Sequence, residues 1–435
     1  MVRWKKISLA VALVAVAVLA TLAWTRFNTK RSAVANDTVT LAQVRGADSA
    51  AVARGAYVMR TGDCMACHSA GQGEFAGGYN IDTPFGRIAS SNITPDPETG
   101  IGAMTERDFF NAVRHGQGSK GLLYPAMPYT AYQHLTDQDM HDLWAYMSTV
   151  APVHNEIEET AWLGFPFNIR LVMAGWNLLF FDNRPFTPTP GLSIEQTRGQ
   201  YLVDGGTHCA ACHSPRNLLG AESGKGYMQG GNLGLWYAPD LTPNPHTGLG
   251  GASEDSVVEY LRTGSNGVAV ATGPMAEAVE HSFQHLEESD IRSIARYLQT
   301  LPASPRTRPQ AIAKDTPAMQ RGALRYEVNC SACHGVRGEG MGGMTAAFAG
   351  NRSLQSDDAT SLMHVMLVGG RAAATEEKLT GAGMPSFAWK MSDRQIAETL
   401  DYIRNSWGNA AKPVDETEVA RLRAVLSARD QLPAN

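Results

Sequence analysis

Apolar residues recur along this chain in two ways, as one unbroken run near the N-terminus and as three sets of helical stripes behind it. The run spans Ile7 to Trp24, 18 residues interrupted only by Ser8 and Thr21, and Arg3, Lys5 and Lys6 precede it. At ~1.5 Å per residue that is about 27 Å of helix, close to the thickness of a bilayer core. Ala33-Val34-Ala35 then offers a small-x-small cleavage signal. Residues 1–35 are expected to serve either as a signal peptide or as a membrane anchor, and both imply export.

Behind this run one helical unit is written three times. Its opening helix is expected at Ala50–Arg60, at Ile194–Val203 and at Met319–Tyr326. A closing helix follows each. Thr136 caps one with Leu143, Trp144, Tyr146 and Met147 on its apolar face. Ser289 caps the next, with Ile291, Ile294, Ala295, Tyr297 and Leu298, and Ser392 caps the last, with Ile396, Leu400, Tyr402 and Ile403. Thr105–Arg114, Ser253–Arg262 and Asp358–Val368 are further helix candidates. A loop is repeated too: Asn92-Ile-Thr-Pro-Asp-Pro-Glu-Thr-Gly-Ile-Gly102 matches Asp240-Leu-Thr-Pro-Asn-Pro-His-Thr-Gly-Leu-Gly250. Pro and Gly at that density mark a loop of fixed shape.

The pattern predicts an all-α chain, with three tandem domains over 46–152, 191–305 and 313–410 after an N-terminal hydrophobic helix. Residues 153–190 form an apolar and Pro-rich connection and 411–435 a tail. Within the connection, Leu163–Phe181 is expected to be a helix packed between domains, since Asn168, Arg170 and Asn177 argue against a membrane span. Contact with a membrane surface or a partner subunit is the other reading. In the tail, the charged helix Asp415–Leu426 is expected to be a surface element.

Charge changes the picture by exclusion. Among 435 residues, 37 basic groups face 42 acidic ones, and the six basic residues of 1–35 leave −11 on the rest. A body this acidic is not a nucleic-acid binder. No phosphate loop or serine nucleophile is present. Gly338-Glu-Gly340-Met-Gly-Gly343 fits the dinucleotide pattern in letters only, because it follows no strand, and it is expected to be a flexible loop.

The six cysteines carry the chemistry. They fall as Cys64-Met-Ala-Cys67-His68, Cys209-Ala-Ala-Cys212-His213 and Cys330-Ser-Ala-Cys333-His334, 145 and 121 residues apart, with none left over. Two thiols three positions apart on one helical turn can each add to a haem vinyl group, and the next His then faces the iron. Structural zinc would need four ligands per site, and a thioredoxin-type motif would need a βαβ setting; neither is present. Three covalently bound haem c groups are the expected cofactors, with His68, His213 and His334 as axial ligands. The opposite ligands are expected to be Met127 and Met384, each followed by Pro, which favours an extended loop. In the second domain the candidate is Met275, where Pro precedes and Ala follows; His281 and His285 are its competitors. No residue is expected to be catalytic towards a substrate.

With these motifs placed, the chain resembles the triheme cytochrome c subunits of membrane-bound dehydrogenases, of the flavin-dependent gluconate, sorbitol and fructose type and the quinoprotein alcohol type. The likeness runs from about Arg54 to Trp407. It implies three cytochrome c-like domains at the periplasmic face of the inner membrane. It also implies a large flavin- or PQQ-dependent catalytic subunit as partner, a small third subunit as an option, and ubiquinone as electron acceptor. Other readings are an electron-transfer partner of a molybdenum hydroxylase, a wire to a terminal oxidase, and a peroxidase-type haem enzyme with one open iron site in the second domain.

Overall fold

The computed structural model describes residues 36–429 and the single position Val16, so the expectation for the N-terminal run falls outside the described residues. Two compact units divide the chain: residues 1–59 with 67–187, and residues 60–66 with 188–435. Helices dominate both, and the strands are short. Among the described residues no helix is long and apolar enough to cross a membrane.

α1 (Ser49–Thr61), which belongs to the first unit as far as Met59, leads to the short helix Cys64–His68. Next, α2 (Glu106–His115) begins where the Thr105 side chain accepts from the Asp108 N–H while Asp108 reaches back, and it ends on left-handed Gly116. Further along, α3 (Asp137–Met147) is capped by Thr136 as its sequence predicts. β1 (Asn80–Thr83), β2 (Gly86–Ala89) and β3 (Trp162–Leu163) form an antiparallel sheet in that order, with Asn80 opposite Ala89 and Gly86 opposite Leu163.

The apolar connection is not one helix. Trp162 and Leu163 are strand, and α4 (Val172–Phe180) starts only afterwards. Leu163 and Met173 pack with Tyr124, Phe85 and Trp176 within the first unit. Asn177, expected to be a polar interruption, is buried with its Oδ1 accepting from the Tyr129 hydroxyl at 2.7 Å. Trp162, Phe165, Leu171 and Leu179 point outward, each more than two-thirds exposed.

The second unit holds α5 (Ile194–Tyr201), α6 (Glu254–Thr263), α7 (Pro274–His281) and α8 (Glu288–Leu298). It continues with α9 (Pro317–Asn329), α10 (Thr360–Val368), α11 (Asp393–Arg404) and α12 (Glu416–Ala428). α8 starts one residue before the expected cap, with Glu287 at the N-cap and no side-chain cap bond. The tail helix α12 is no surface element: Val419, Leu422 and Leu426 are buried in a core with Met363, Leu367, Ile396 and Leu400. Every third or fourth residue of α12 is apolar, which is the stripe a packed helix needs.

One packing device recurs three times. On α1, α5 and α9 a glycine meets a closing helix so closely that a Cβ at Gly55, Gly199 or Gly322 would lie 1.8, 1.9 or 2.3 Å from the carbonyl oxygen of Asp142, Ser293 or Glu398. The same Cβ would stand 2.8 Å from the Cβ of Tyr146, Tyr297 or Tyr402. An arginine beside each glycine clamps the crossing: Arg54 to Asp142 at 2.8 Å, Arg198 to Asp290 at 2.6 Å, Arg321 to Glu398 at 2.5 Å. The acids are buried and the arginines stay partly in water, so losing an arginine takes a charged partner from a buried carboxylate.

Two outcomes follow. Gly199→Ala should gain up to about 1 kcal/mol of helix propensity and lose more, about 1–3 kcal/mol, to overpacking; thermal denaturation will show net destabilisation. Hydrogen bonds from Arg321 and Arg325 hold the Glu398 carboxyl down at about 2, against an ordinary 4.5. Its stabilising contribution is complete above pH 4.5 and disappears as pH falls towards 2. In Glu398→Gln that part of the acid-unfolding curve should flatten.

Candidate functional site

Each Cys-x-x-Cys-His stretch folds as a single helical turn: Cys64–His68, Ala210–His213 capped by Cys209, and Ser331–His334 capped by Cys330. The two thiols and the imidazole of each motif therefore leave the backbone within one turn, as attachment to a haem requires. None of the six cysteines is in a disulfide. Burial pushes the Cys209 and Cys330 thiols up to about 11. Among the described residues no group of three or more His, Cys, Asp or Glu side chains could hold a metal ion between them.

The imidazoles are held alike. Nδ1 of His68 lies 2.7 Å from the Ser91 carbonyl oxygen, Nδ1 of His213 lies 2.7 Å from that of Pro239, and Nδ1 of His334 lies 2.9 Å from that of Ala346. Each contact assigns the proton to Nδ1 and leaves Nε2 with its lone pair free for an axial bond. Burial lowers all three imidazole pKa values, and the carbonyl bonds act in the opposite direction. A neutral imidazole with an oriented Nε2 is the ligating form, so these residues fit a haem iron.

The repeated Pro- and Gly-rich loop now has a purpose that its sequence did not disclose. Ser91 and Pro239, whose carbonyls hold the first two imidazoles, immediately precede the two copies. Asn92 Oδ1 accepts from the Thr94 N–H at 3.0 Å and hydroxyl at 2.8 Å, while its Nδ2 donates to the Val153 carbonyl at 2.8 Å. Asp240 does the same work in the second copy. It accepts from the Thr242 N–H at 2.8 Å and from the hydroxyls of Thr242, Thr247 and Ser304 at 2.7, 2.9 and 2.5 Å. The loop is a buried polar scaffold locking the backbone that aims the histidine. A satisfied network of this kind is stiff, and opening it is costly. In the third repeat the glycine-rich segment takes over and is far from loose. The Gly340 N–H donates to the His334 carbonyl at 2.9 Å, the Thr345 hydroxyl to that of Cys333 at 2.6 Å, and Phe348 stacks on His334 with centroids 4.2 Å apart.

The methionines sit on three different supports. Met127 lies in a turn, its N–H donating to the Tyr124 carbonyl and its carbonyl accepting from the Tyr129 N–H. Met384 is in a two-residue strand paired with Gly370. Met275 is the second residue of α7, with Pro274 opening that helix; the reversed Pro order thus has a structural reason. All three side chains are half-buried. His281 ends the same helix, and His285 lies in the short turn Phe283–His285.

Residues 196–302 and 319–407 match the family model for cytochrome c, and residues 50–147 match that for subunit III of cbb3-type cytochrome C oxidase. The gluconate 2-dehydrogenase cytochrome c subunit of Pantoea cypripedii is 40% identical over 87% of this chain and 90% of its own length. The cytochrome c subunit of the quinone alcohol dehydrogenase of Gluconacetobacter polyoxogenes is 38% identical, over 88% and 86%. The fructose dehydrogenase cytochrome subunit of Gluconobacter japonicus is 37% identical, over 86% and 82%.

Asp240→Ala leaves buried hydroxyls without their acceptor and should cost about 1–3 kcal/mol. Asp240→Asn should recover most of this, because Asn already fills that place in the first copy; denaturant titration of the three proteins checks it.

Proposed function

Since this chain belongs to the family of cytochrome c subunits of gluconate, alcohol and fructose dehydrogenases, we propose that it holds three covalent haem c groups in three domains. It passes electrons from a flavin- or PQQ-dependent catalytic subunit to ubiquinone. The observation that carries this reading is the threefold recurrence of one turn, two thiols and an imidazole, with Nδ1 always engaged by a backbone carbonyl.

When bound, haem supplies a one-electron ferric/ferrous couple whose potential depends on axial ligand, burial and hydrogen bonding. The chain supplies the rest. Cys64, Cys67, Cys209, Cys212, Cys330 and Cys333 would hold the three groups through their thiol sulfurs. His68, His213 and His334 would hold the iron through Nε2, and Met127, Met275 and Met384 would supply a sulfur to it. A thioether opposite imidazole favours the reduced state relative to a second imidazole.

The outward Trp162, Phe165, Leu171 and Leu179 give the first unit an apolar surface suited to a membrane interface or to the catalytic subunit. Together with residues 1–35, they support a place at the periplasmic face of the inner membrane. No side-chain constellation for oxidising a sugar, a sugar acid or an alcohol is assigned to this chain; that work belongs to the partner.

A pyridine haemochrome assay on exported protein, with intact mass, should return three haems per chain; fewer than three overturns the assignment. Met127→Ala should keep all three haems attached and lower the potential of one. A redox titration identical to wild type removes Met127 as a ligand.

A further inference from the structure

The second unit contains one aromatic contact that touches the supports of two haem sites at once. β4 (Gly231–Asn232) and β5 (Tyr237–Ala238) form a hairpin, with Gly231 opposite Ala238. Trp236 sits at its tip, three residues before Pro239, whose carbonyl holds His213. The hairpin docks along one side of α10 and the residues leading into it. Asn232 Nδ2 donates to Asp358 at 3.0 Å, the Tyr237 N–H donates to the Ser361 hydroxyl at 2.8 Å, and His364 Nδ1 pairs with the Leu235 carbonyl at 3.0 Å. The His364 ring is buried and stacks on the Trp236 indole, with centroids 4.1 Å apart and planes 28° from parallel.

Each ring leads to a methionine arm. On one side the indole lies so near Gly273 that a Cβ there would be 2.5–2.8 Å from it, and Gly273-Pro274-Met275 is the start of α7. On the other side, α10 is strapped to the Met384 segment. Phe387 N–H donates to the Met366 carbonyl at 2.9 Å, the Ser386 hydroxyl to that of Leu367 at 2.6 Å, and Gly370 pairs with Met384. The two arms also meet directly through a β-bridge between Thr272 and Ala372.

We infer that the Trp236–His364 stack is a positioning contact shared by the second and third haem sites, so that the two sites are tuned jointly. This builds on the triheme reading above. Packed outer-shell partners set ligand orientation, and a contiguous packed path is the physical means by which one site's arrangement reaches another.

The test uses the full-length holoprotein with Trp236→Ala and His364→Gln; the second keeps a donor for the Leu235 carbonyl and removes the stacked ring. Haem content is measured first, then the three midpoint potentials and the ferric spectra that report methionine ligation. The expected result is three haems retained and two of the three potentials moved. Each should move about tenfold in its one-electron equilibrium constant, or ~59 mV. Trp236→Phe should restore both. Unchanged potentials in variants that retain three haems, or a shift confined to one haem, overturn the inference. Wild-type protein with fewer than three haems would instead overturn the triheme reading itself. If Trp236→Ala loses haem, the decision passes to His364→Gln.

Discussion

An imidazole binds an iron through one nitrogen, and the direction of that bond is fixed by what the other nitrogen does. In His68, His213 and His334 Nδ1 is given to a backbone carbonyl, at 2.7 to 2.9 Å. That requirement reaches far into the structure. A carbonyl can aim a histidine only if its own peptide cannot rotate, and the buried Asn92 and Asp240 networks prevent rotation. Those networks in turn need glycine at fixed places. A Cβ at Gly100 or Gly248 would lie 2.3 or 2.1 Å from the carbonyl oxygen of Thr94 or Thr242.

The second constraint is the close crossing of an opening and a closing helix around each haem motif. Gly55, Gly199 and Gly322 allow contact at backbone distance, and an arginine beside each glycine fixes the crossing to a buried acid. The helix that runs into the cysteines is thereby held by the helix farthest from it within the repeat. Each motif thereby sits on a rigid frame, and the repeats differ in detail on that common frame. Met275 opening a helix, where Met384 lies in a strand, is one such difference.

Much of this was legible in the residues. Helical periodicity placed the opening and closing helices to within a few positions, and Thr136 and Ser392 cap as their side chains suggest. Two of the readings that needed revision concern what an element packs against. The tail helix joins a core because α10 and α11 offer an apolar face for Val419, Leu422 and Leu426, which its many charges conceal. Leu163–Phe181 divides into strand and helix because β2 offers an edge to Trp162 and Leu163, and a partner edge leaves no mark on the strand it recruits.

The chain by itself determined the local geometry of each Cys-x-x-Cys-His motif, because two thiols and an imidazole within five residues share one turn of helix, whatever surrounds them. It also determined the loop shape, since Pro and Gly act on their own backbone. Only the tertiary structure decided which carbonyl steadies each histidine, 23 and 26 residues away in the first two repeats. The same holds for Arg54, which finds Asp142 across 88 residues, and for Trp236, which finds the ring of His364. Side-chain periodicity records that a residue turns inward; it does not record what the residue meets there, because that is set by how separate segments pack.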